Sequence, residues 1–349
     1  MILVNILTVL TYAISFIFAI SVLVLIHEGG HFIVAKLVGI KVNEFSIGMG
    51  PKLYGFQKGE TAYNLRWIPI GGFIKPEGED EESEHPRAFG NKPLWARAAV
   101  VAAGPISNFI LAYVIIVLLI SFWGVNYITI GDVMPNSPAA SVGLQKGDVI
   151  KKVDNKNIYI FEELIDMINR ANGKDINLTI LRNKQETVIN VPLKYNEENK
   201  RYIIGIGAGM STPISFSISK NFTESLYYSS SLTTQIQYGL KRMFTGQITK
   251  DDVSGPVGIV MISGAAASAG AYPYVTLIAL LSLSLGIFNL FPIPALDGGR
   301  LIFFLIEGIR RKRIEPEKEA MVHFVGFALL MVLIIFVTFN DVKRWVFGM

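Results

Sequence analysis

The sequence predicts a multi-pass α-helical membrane protein with about four transmembrane helices, a small membrane-associated β-sheet and one inserted α+β domain. Its 349 residues are 51% hydrophobic and 17% charged, whereas a soluble domain carries about 25% charged residues. Four apolar stretches are long enough to cross a bilayer, whose core needs ~20 apolar residues. Alternating polar and apolar residues between the first two stretches predict the sheet, and short strand patterns around a helix predict the inserted domain.

Composition and charge narrow the possible functions. Cysteine is absent, which excludes disulfides and thiol catalysis, so a metal ion must be bound by His, Asp or Glu. The net charge of +4 is spread over scattered basic residues, and no DNA-binding motif surrounds them, so we expect no nucleic-acid partner. No Lys or Arg precedes Lys36, so we expect a retained membrane helix rather than a cleaved signal peptide.

The first predicted transmembrane segment, residues 1–40, contains an H-E-x-x-H motif formed by His27, Glu28 and His31. Two histidines four residues apart lie on the same face of a helix and can bind one zinc ion. The glutamate between them can accept a proton from the attacking water. Ionisable residues inside a bilayer are costly and therefore indicate function. The alternative, two buried histidines satisfied by hydrogen bonds, leaves the motif spacing unexplained.

Residues 41–97 are predicted to form a membrane-associated β-loop followed by a cytoplasmic loop. Two stretches, 42–47 and 61–67, alternate polar and apolar side chains between glycines, which is typical of a β-hairpin. An exposed sheet edge can accept an extended peptide as an additional strand, and a structural turn is the equal alternative. The residues concerned lie at the end of the loop: Gly71, Gly72 and Phe73.

Residues 98–125 are predicted to form the second transmembrane helix, because no charged side chain occurs in this stretch. Gly104 and Pro105 near its start predict a break in the helix. Such a break is tolerated only where protein or a cavity satisfies the freed backbone groups. Asn108 then either lines a catalytic cavity or packs between helices, and the sequence favours neither role.

Residues 126–212 are predicted to form a domain outside the membrane, with five short strands around one helix over residues 161–170. The segment from Val133 to Ile150, with its glycine turns, resembles a PDZ domain. PDZ domains bind peptides as an added strand, but a size filter without ligand is equally open.

The following linker, residues 213–252, contains a predicted amphipathic helix whose apolar residues repeat every four positions. It either rests on the membrane surface or packs against the protein.

Residues 253–309 are predicted to contain the third transmembrane helix and a second chemical cluster. Pro292 and Pro294 end the helix, and Asp297 follows beside two glycines. A carboxylate in apolar surroundings needs a cation, and a zinc ion held by two histidines lacks its third ligand. The alternative for this aspartate is to cap the N-terminus of a helix.

Residues 310–319 form a basic loop, and residues 320–349 are the fourth predicted transmembrane segment with the C-terminus. The cluster from Arg310 to Arg313 places this loop in the cytoplasm by the positive-inside rule. With four spans, residues 36–97 are also cytoplasmic, whereas both termini and the inserted domain face outward. His323 has no second ligand at helical spacing, so we expect it to pack rather than bind metal.

These motifs resemble the site-2 protease family of intramembrane zinc metalloproteases, and most closely its bacterial regulator of sigma-E protease (RseP) group. The likeness covers nearly the whole chain, although this chain has one PDZ block where some members have two. It rests on the H-E-x-x-H motif, Gly71-Gly72-Phe73, Gly104-Pro105 with Asn108, the PDZ block, residues 254–258, and the stretch from Asn289 to Gly299.

The resemblance implies a bacterial cytoplasmic-membrane endopeptidase that cuts single-span membrane proteins, such as anti-sigma factors or signal-peptide remnants, within their transmembrane segments. It implies Zn²⁺ as cofactor, Glu28 as general base, and an active site open to the cytoplasm. The implied zinc ligands are His27, His31 and Asp297. The implied substrate-binding residues are Asn289, Pro292, Pro294, Gly71, Gly72 and Phe73. A catalytically silent membrane scaffold that displays a PDZ domain is the alternative.

Overall fold

The computed structural model describes residues 6–79, 83–197, 200–209, 213–214, 218–245 and 254–346. Its α-helices are α1 (Ile6–Leu37), α2 (Leu94–Trp123), α3 (Pro138–Ser141), α4 (Phe161–Arg170), α5 (Ile218–Phe244), α6 (Pro256–Ala269), α7 (Ala271–Asn289), α8 (Asp297–Arg310) and α9 (Pro316–Val346). The longer strands are β1 (Val42–Lys58), β2 (Thr61–Pro76), β4 (Ile128–Val133), β5 (Val149–Val153), β7 (Ile176–Arg182) and β8 (Gln185–Val191). The short strands are β3 (Val125–Asn126), β6 (Lys156–Asn157), β9 (Lys194–Asn196), β10 (Arg201–Ile203), β11 (Ile206–Ala208) and β12 (Pro213–Ile214).

The chain divides into two compact units. We name Met1–Ala112 with Ile248–Met349 the membrane unit, and Tyr113–Gln247 the insert unit. In the part of the chain that the structure describes, four helices are long and apolar enough to cross a membrane: Ile6–Leu37, Leu94–Trp123, Ala271–Asn289 and Glu317–Arg344. The predicted multi-pass membrane fold is therefore confirmed, and α1 runs unbroken through the H-E-x-x-H motif as expected.

The second span differs from the prediction, because α2 continues from Leu94 to Trp123 with Pro105 inside it. Proline lacks an N–H, so the carbonyl of Val101 loses its helical donor. A membrane helix tolerates this single loss where its neighbours re-satisfy the backbone. The predicted break at Gly104 and Pro105 is thus wrong.

The predicted β-loop is a long hairpin of β1 and β2 that folds over itself. Residues 44–47 have partners on both sides, residues 72–75 on one and residues 62–65 on the other. The last segment of β2 is therefore one edge of the sheet. It begins at Gly71, whose φ of +84° is a conformation that glycine adopts readily. Phe32 of α1 packs edge-on against Phe45 of β1, with ring centroids 5.3 Å apart.

The structure adds α6, a helix that was not predicted. It has 14 residues, too few to cross a bilayer that needs ~20. It packs against α1 at Gly264, where a Cβ atom would lie 2.6 Å from Cβ of Tyr12. Glycine therefore lets the two helices approach closely.

The insert unit contains the predicted α+β domain. Its antiparallel sheet has the order β11-β4-β5-β7-β8, with β6 beside β5. Leu164 and Ile168 of α4 are buried against the sheet. The carboxylate of Glu224 on α5 accepts hydrogen bonds from the hydroxyl groups of Tyr127 and Tyr159. These contacts favour the packed placement of α5, and its contact with a membrane surface stays a prediction.

Candidate active site

Three side chains of the metal-binding type converge in the membrane unit. His27 and His31 come from α1, and Asp297 is the first residue of α8. The two histidine Nε2 atoms are 3.2 Å apart. Oδ2 of Asp297 lies 3.1 Å from Nε2 of His27 and 3.6 Å from Nε2 of His31. Among the residues that the structure describes, this is the one group of three such side chains able to hold a metal ion.

The spacing of these three atoms fits a tetrahedral zinc ion. With bonds of about 2.0–2.1 Å, the ligand atoms of a tetrahedron lie about 3.3–3.4 Å apart, close to the observed 3.1–3.6 Å. Two imidazoles and one carboxylate are also a ligand set of catalytic zinc sites, which keep a fourth position open. The residues therefore fit the metal that the motif predicts.

Helix α2 orients both histidines through their other ring nitrogen. Nδ1 of His31 donates to the carbonyl oxygen of Val100 at 2.8 Å, which leaves Nε2 to face the cluster. The side-chain amide of Asn108 lies 3.1 Å from Nδ1 of His27. Asn108 is fully buried behind His27 and is not part of the cavity wall. Asn108 therefore does not line the cavity, which was one of its two predicted roles, and it contacts His27 instead.

The close crossing of α1 and α2 requires glycine at two positions. A Cβ atom on Gly104 would lie 2.8 Å from Cε1 of His27 and nearer still to the ring of His31. A Cβ atom on Gly30 would lie 2.9 Å from Cβ of Ser107. Gly29, the other glycine of the motif, has no atom within 4 Å of such a Cβ. Only one motif glycine is therefore required by packing.

The loop between α7 and α8 delivers Asp297 to the histidines. As predicted, the helix ends before the two prolines, and the structure shows that a new helix begins at Asp297. Ala295 has a φ of +77°, and its N–H donates to Nδ1 of His323 at 2.9 Å. His323 on α9 therefore holds the loop, which agrees with the expectation that it is a packing residue.

A cavity of about 290 Å³ lies over the cluster. Glu28, Phe73 and Asn289 line it together with the converging side chains of His27, His31 and Asp297. Nδ2 of Asn289 donates to the carbonyl of Leu285 in its own helix at 3.0 Å. Gly72 lies just behind the glutamate, since a Cβ atom there would be 3.5 Å from Cγ of Glu28.

Four of the predicted substrate-binding residues do not line this cavity, namely Gly71, Gly72, Pro292 and Pro294. Pro294 instead packs on α9, where a Cβ atom on Gly326 would lie 2.5 Å from its Cβ. Gly71 faces the side chain of Met49, since a Cβ atom there would lie 3.0 Å from Cε. Any contact of these residues with substrate is therefore outside the cavity wall.

A second cavity of about 400 Å³ adjoins the first and shares Asp297, Arg300 and Glu79 with it. The guanidinium group of Arg300 pairs with Glu79, and its Nε lies 3.2 Å from Oε1 of Glu319. These charged residues form a polar approach to the cluster. They were not predicted, although Arg300 stands three residues after Asp297 and hence on the same helix face.

The chain matches known proteins over most of its length. The sequence profile of peptidase family M50 matches residues 15–333. A putative zinc metalloprotease of Clostridium acetobutylicum is 41% identical over 330 residues, which is 93% of this chain and 96% of the relative. The regulator of sigma-W protease RasP of Bacillus subtilis is 33% identical over 419 aligned positions, covering 95% of this chain and 98% of the relative.

Among solved structures, the PDZ domain of an SdrC-like protein from Listeria monocytogenes matches 24% of this chain and 86% of its own length, at 23% identity and a TM-score of 0.22. The profile match and the relatives span both the H-E-x-x-H motif and Asp297. The chain therefore belongs to peptidase family M50, and it is a site-2-type intramembrane zinc metalloprotease, as its motifs predicted.

Proposed function

We propose that His27, His31 and Asp297 bind the catalytic zinc ion and that Glu28 is the general base. The convergence of three ligand atoms within 3.1–3.6 Å carries this assignment. Zinc held there would supply a Lewis acid for the scissile carbonyl and for the attacking water. Glu28 lines the same cavity, where it accepts a proton from the attacking water and passes it to the leaving amine.

The proposed substrates are transmembrane segments of single-span proteins. A transmembrane helix keeps its carbonyls in internal hydrogen bonds, so cleavage requires local unwinding. Each backbone group left unsatisfied in lipid costs several kcal/mol. The edge of β2 offers replacement partners, since Phe73 of this edge lines the cavity and Gly72 borders Glu28. We therefore infer that Gly71, Gly72 and Phe73 hold the substrate as an added strand.

The loop after α7 supplies the other side of the proposed substrate site. Asn289 lines the cavity, and its amide donates to the developing oxyanion once it releases the carbonyl of Leu285. Pro292 and Pro294 lie in the same loop. They lack N–H groups and so keep this loop out of a helix, and we propose that the loop borders the substrate strand.

The Bacillus subtilis relative is named regulator of sigma-W protease. By analogy we propose anti-sigma factors or signal-peptide remnants as the substrate class of this chain.

The insert unit supports a peptide partner as well. A groove of about 150 Å³ lies between α4 and residues 201–206 and is lined mainly by apolar side chains, so we propose that the PDZ-like domain binds an apolar peptide.

We propose that the protein lies in the bacterial cytoplasmic membrane with the loop between α8 and α9 in the cytoplasm. The basic residues from Arg310 to Arg313 support this orientation. Arg313 also lines the 400 Å³ cavity that adjoins the zinc site. The active site then opens to the cytoplasm through this charged cavity, which admits water, and the PDZ-like domain is extracytoplasmic.

The decisive experiment compares wild type with Glu28→Gln in detergent. Zinc per chain is measured by elemental analysis, and cleavage is measured on a model single-span substrate. Glu28→Gln should keep its zinc and lose cleavage by at least about 10²–10⁴-fold, the contribution of a positioned general base. Glu84→Gln makes the same chemical change at an exposed residue and should behave as wild type.

Two outcomes would contradict the proposal. Retained cleavage by Glu28→Gln would remove the assigned base. A wild-type protein that binds peptides through its PDZ-like domain but holds no zinc would favour the scaffold alternative.

A further inference from the structure

We propose that Asn108 is a positioning residue of the zinc site. Its amide oxygen accepts a hydrogen bond from Nδ1–H of His27 and thereby fixes the ring with Nε2 toward the metal. The proposal rests on the assignment of His27 as a zinc ligand, and it assigns to α2 a part in metal binding.

The geometry places the amide directly behind the ring. Asn108 has no exposed surface, and its side-chain nitrogen lies 3.1 Å from Nδ1 of His27. Nε2 on the opposite side of that ring faces Asp297 at 3.1 Å. One side of the imidazole thus meets the metal cluster and the other meets α2.

The chemistry of imidazole decides which end of the amide is needed. A neutral imidazole carries one hydrogen, and the nitrogen that binds a metal must offer its lone pair. Nδ1 of His27 therefore carries the hydrogen in the zinc-bound protein and requires an acceptor. An amide nitrogen cannot accept, so only the oxygen of Asn108 meets this requirement.

The structure shows the amide with Nδ2 toward the ring, while Oδ1 has no hydrogen-bond partner among the described atoms. The two ends of a side-chain amide have nearly the same shape, and a half-turn about the last bond exchanges them. That exchange brings Oδ1 against Nδ1 without moving the helix. We infer that zinc binding selects this orientation.

The second histidine shows the same principle with a backbone acceptor. Val100, Gly104 and Asn108 follow at intervals of four along α2 and so lie on one face. Val100 accepts from His31 through its carbonyl, Gly104 leaves room for both rings, and Asn108 contacts His27. One face of α2 therefore contacts both histidines. Val100 uses a backbone carbonyl, which a mutation cannot remove, whereas Asn108 uses its side chain, which a mutation can replace.

The backbone that carries Asn108 is itself held by α7. The buried hydroxyl of Ser282 donates to the carbonyl oxygen of Asn108 at 2.8 Å. One turn later, a Cβ atom on Gly286 would lie 3.1 Å from the carbonyl oxygen of Pro105. Support of this kind keeps a metal ligand within the narrow geometric tolerance that binding requires.

The competing explanation is that Asn108 only fills space between helices. An apolar residue of similar size would then be tolerated, because the loss of the amide would leave no essential partner unsatisfied. Asn108→Leu removes the acceptor, whereas Asn108→Asp keeps an acceptor in nearly the same shape. A carboxylate behind a zinc-binding histidine is a common arrangement, so aspartate should rescue a positioning role.

The test uses the full chain in detergent, stripped of metal, with zinc affinity measured by competition against a chelating dye. Asn108→Leu should weaken zinc binding about 10- to 100-fold, as for other outer partners of metal ligands. Asn108→Asp should bind zinc about as tightly as wild type. Ser284→Ala is the control, since its hydroxyl donates within α7 to the carbonyl of Leu280 at 2.8 Å and not to Asn108, and it should bind zinc as tightly as wild type.

Circular dichroism of the metal-free proteins verifies the fold, and Asn108→Ala replaces leucine if that variant does not fold. Zinc affinity of Asn108→Leu equal to wild type would overturn the proposal. Equal losses in the leucine and aspartate variants would do the same, because they would indicate packing alone. His27→Ala is included to separate the levels of inference, since unchanged zinc affinity in that variant would overturn the ligand assignment itself.

Discussion

Two aspartates stand in apolar helices of the membrane unit, and the protein satisfies them differently. Asp341 on α9 is 1% exposed, and its Oδ2 accepts a hydrogen bond from the N–H of Gly258 at 2.7 Å. Asp297 on α8 instead faces Nε2 of His27 at 3.1 Å. A carboxylate in apolar surroundings needs donors or a cation. The chain provides a backbone donor for Asp341 and a place beside two histidines for Asp297.

The role of Asp341 is structural. Gly258 is the third residue of α6, and the first N–H groups of a helix have no partner within it. The partial positive charge at a helix N-terminus also favours an anion. A Cβ atom on Gly255 would lie 3.0 Å from the carboxylate of Asp341. The partner of each carboxylate therefore separates helix capping, at Asp341, from proposed metal binding, at Asp297.

The largest expected effect comes from changing each aspartate to asparagine. Asp297→Asn removes one of three proposed ligands, so zinc affinity should fall by about 100-fold or more, since outer partners alone contribute 10–100-fold. Asp341→Asn keeps an oxygen that accepts from Gly258 and should leave the zinc content unchanged. Elemental analysis after dialysis against a weak chelator measures both. Unchanged zinc in Asp297→Asn, or lost zinc in Asp341→Asn, would break the distinction.

The glycines of the zinc motif provide the next test. Gly30→Ala places a Cβ atom against α2, and such overpacking costs about 1–3 kcal/mol and should displace the histidines. Gly29→Ala meets no atom within 4 Å and should stabilise the helix by about 0.5–1 kcal/mol. Thermal unfolding and zinc content of the two variants are compared with wild type. Equal unfolding temperatures and equal zinc contents in the Gly30→Ala and Gly29→Ala variants would refute the packing argument.

The capping contact should affect stability without affecting zinc. Asp341→Leu leaves the N–H of Gly258 unsatisfied in a buried position, which costs about 1–3 kcal/mol. The thermal midpoint in detergent should therefore fall, while zinc per chain stays at the wild-type value. Asp341→Asn is the matched control, because its oxygen still accepts the hydrogen bond. A leucine variant that loses zinc would mean that α6 and α9 also shape the metal site.

The sequence predicted those features whose signals are local. Four long apolar runs predicted the four spans, and the need for a third ligand predicted that Asp297 joins His27 and His31. The helix α6 was missed because residues 254–296 contain no charge, and the boundary between α6 and α7 is a single residue, Gly270, with a φ of +121°. The helix break predicted at Pro105 was also wrong. The sequence does not show which neighbouring groups satisfy the carbonyl that proline leaves without a donor, because those neighbours are brought close only by the tertiary structure.

Other parts of the site have no sequence signature. The carbonyl of Val100 orients His31, and every residue has a carbonyl, so only the crossing of α1 with α2 identifies the one that matters. The contact of His323 with Ala295 depends in the same way on the rotation of α9. The convergence of the proposed metal ligands could therefore be predicted, whereas the groups that orient them could not.

Glu60 extends the comparison to a carboxylate outside the spanning helices. It lies in the turn between β1 and β2, and its oxygens accept hydrogen bonds from Arg87 and Lys36, each at 2.7 Å. These two partners lower the pKa of Glu60 from its ordinary value of 4.5 to about 2. Because the folded pKa lies below the unfolded one, the ion pairs stabilise the folded state above pH 4.5 and are lost as the pH falls toward 2.

Glu60→Gln should therefore lower the thermal midpoint near neutral pH, and the difference from wild type should shrink as the pH falls below the ordinary pKa. Partly exposed ion pairs contribute about 0–1 kcal/mol each, so the effect is the smallest of those expected here. Zinc content should not change, because Glu60 is no part of the metal cluster. A difference in midpoint that stays constant with pH would show that Glu60 acts through the shape of the turn, as Asp341 acts through its hydrogen bond, and not through its charge.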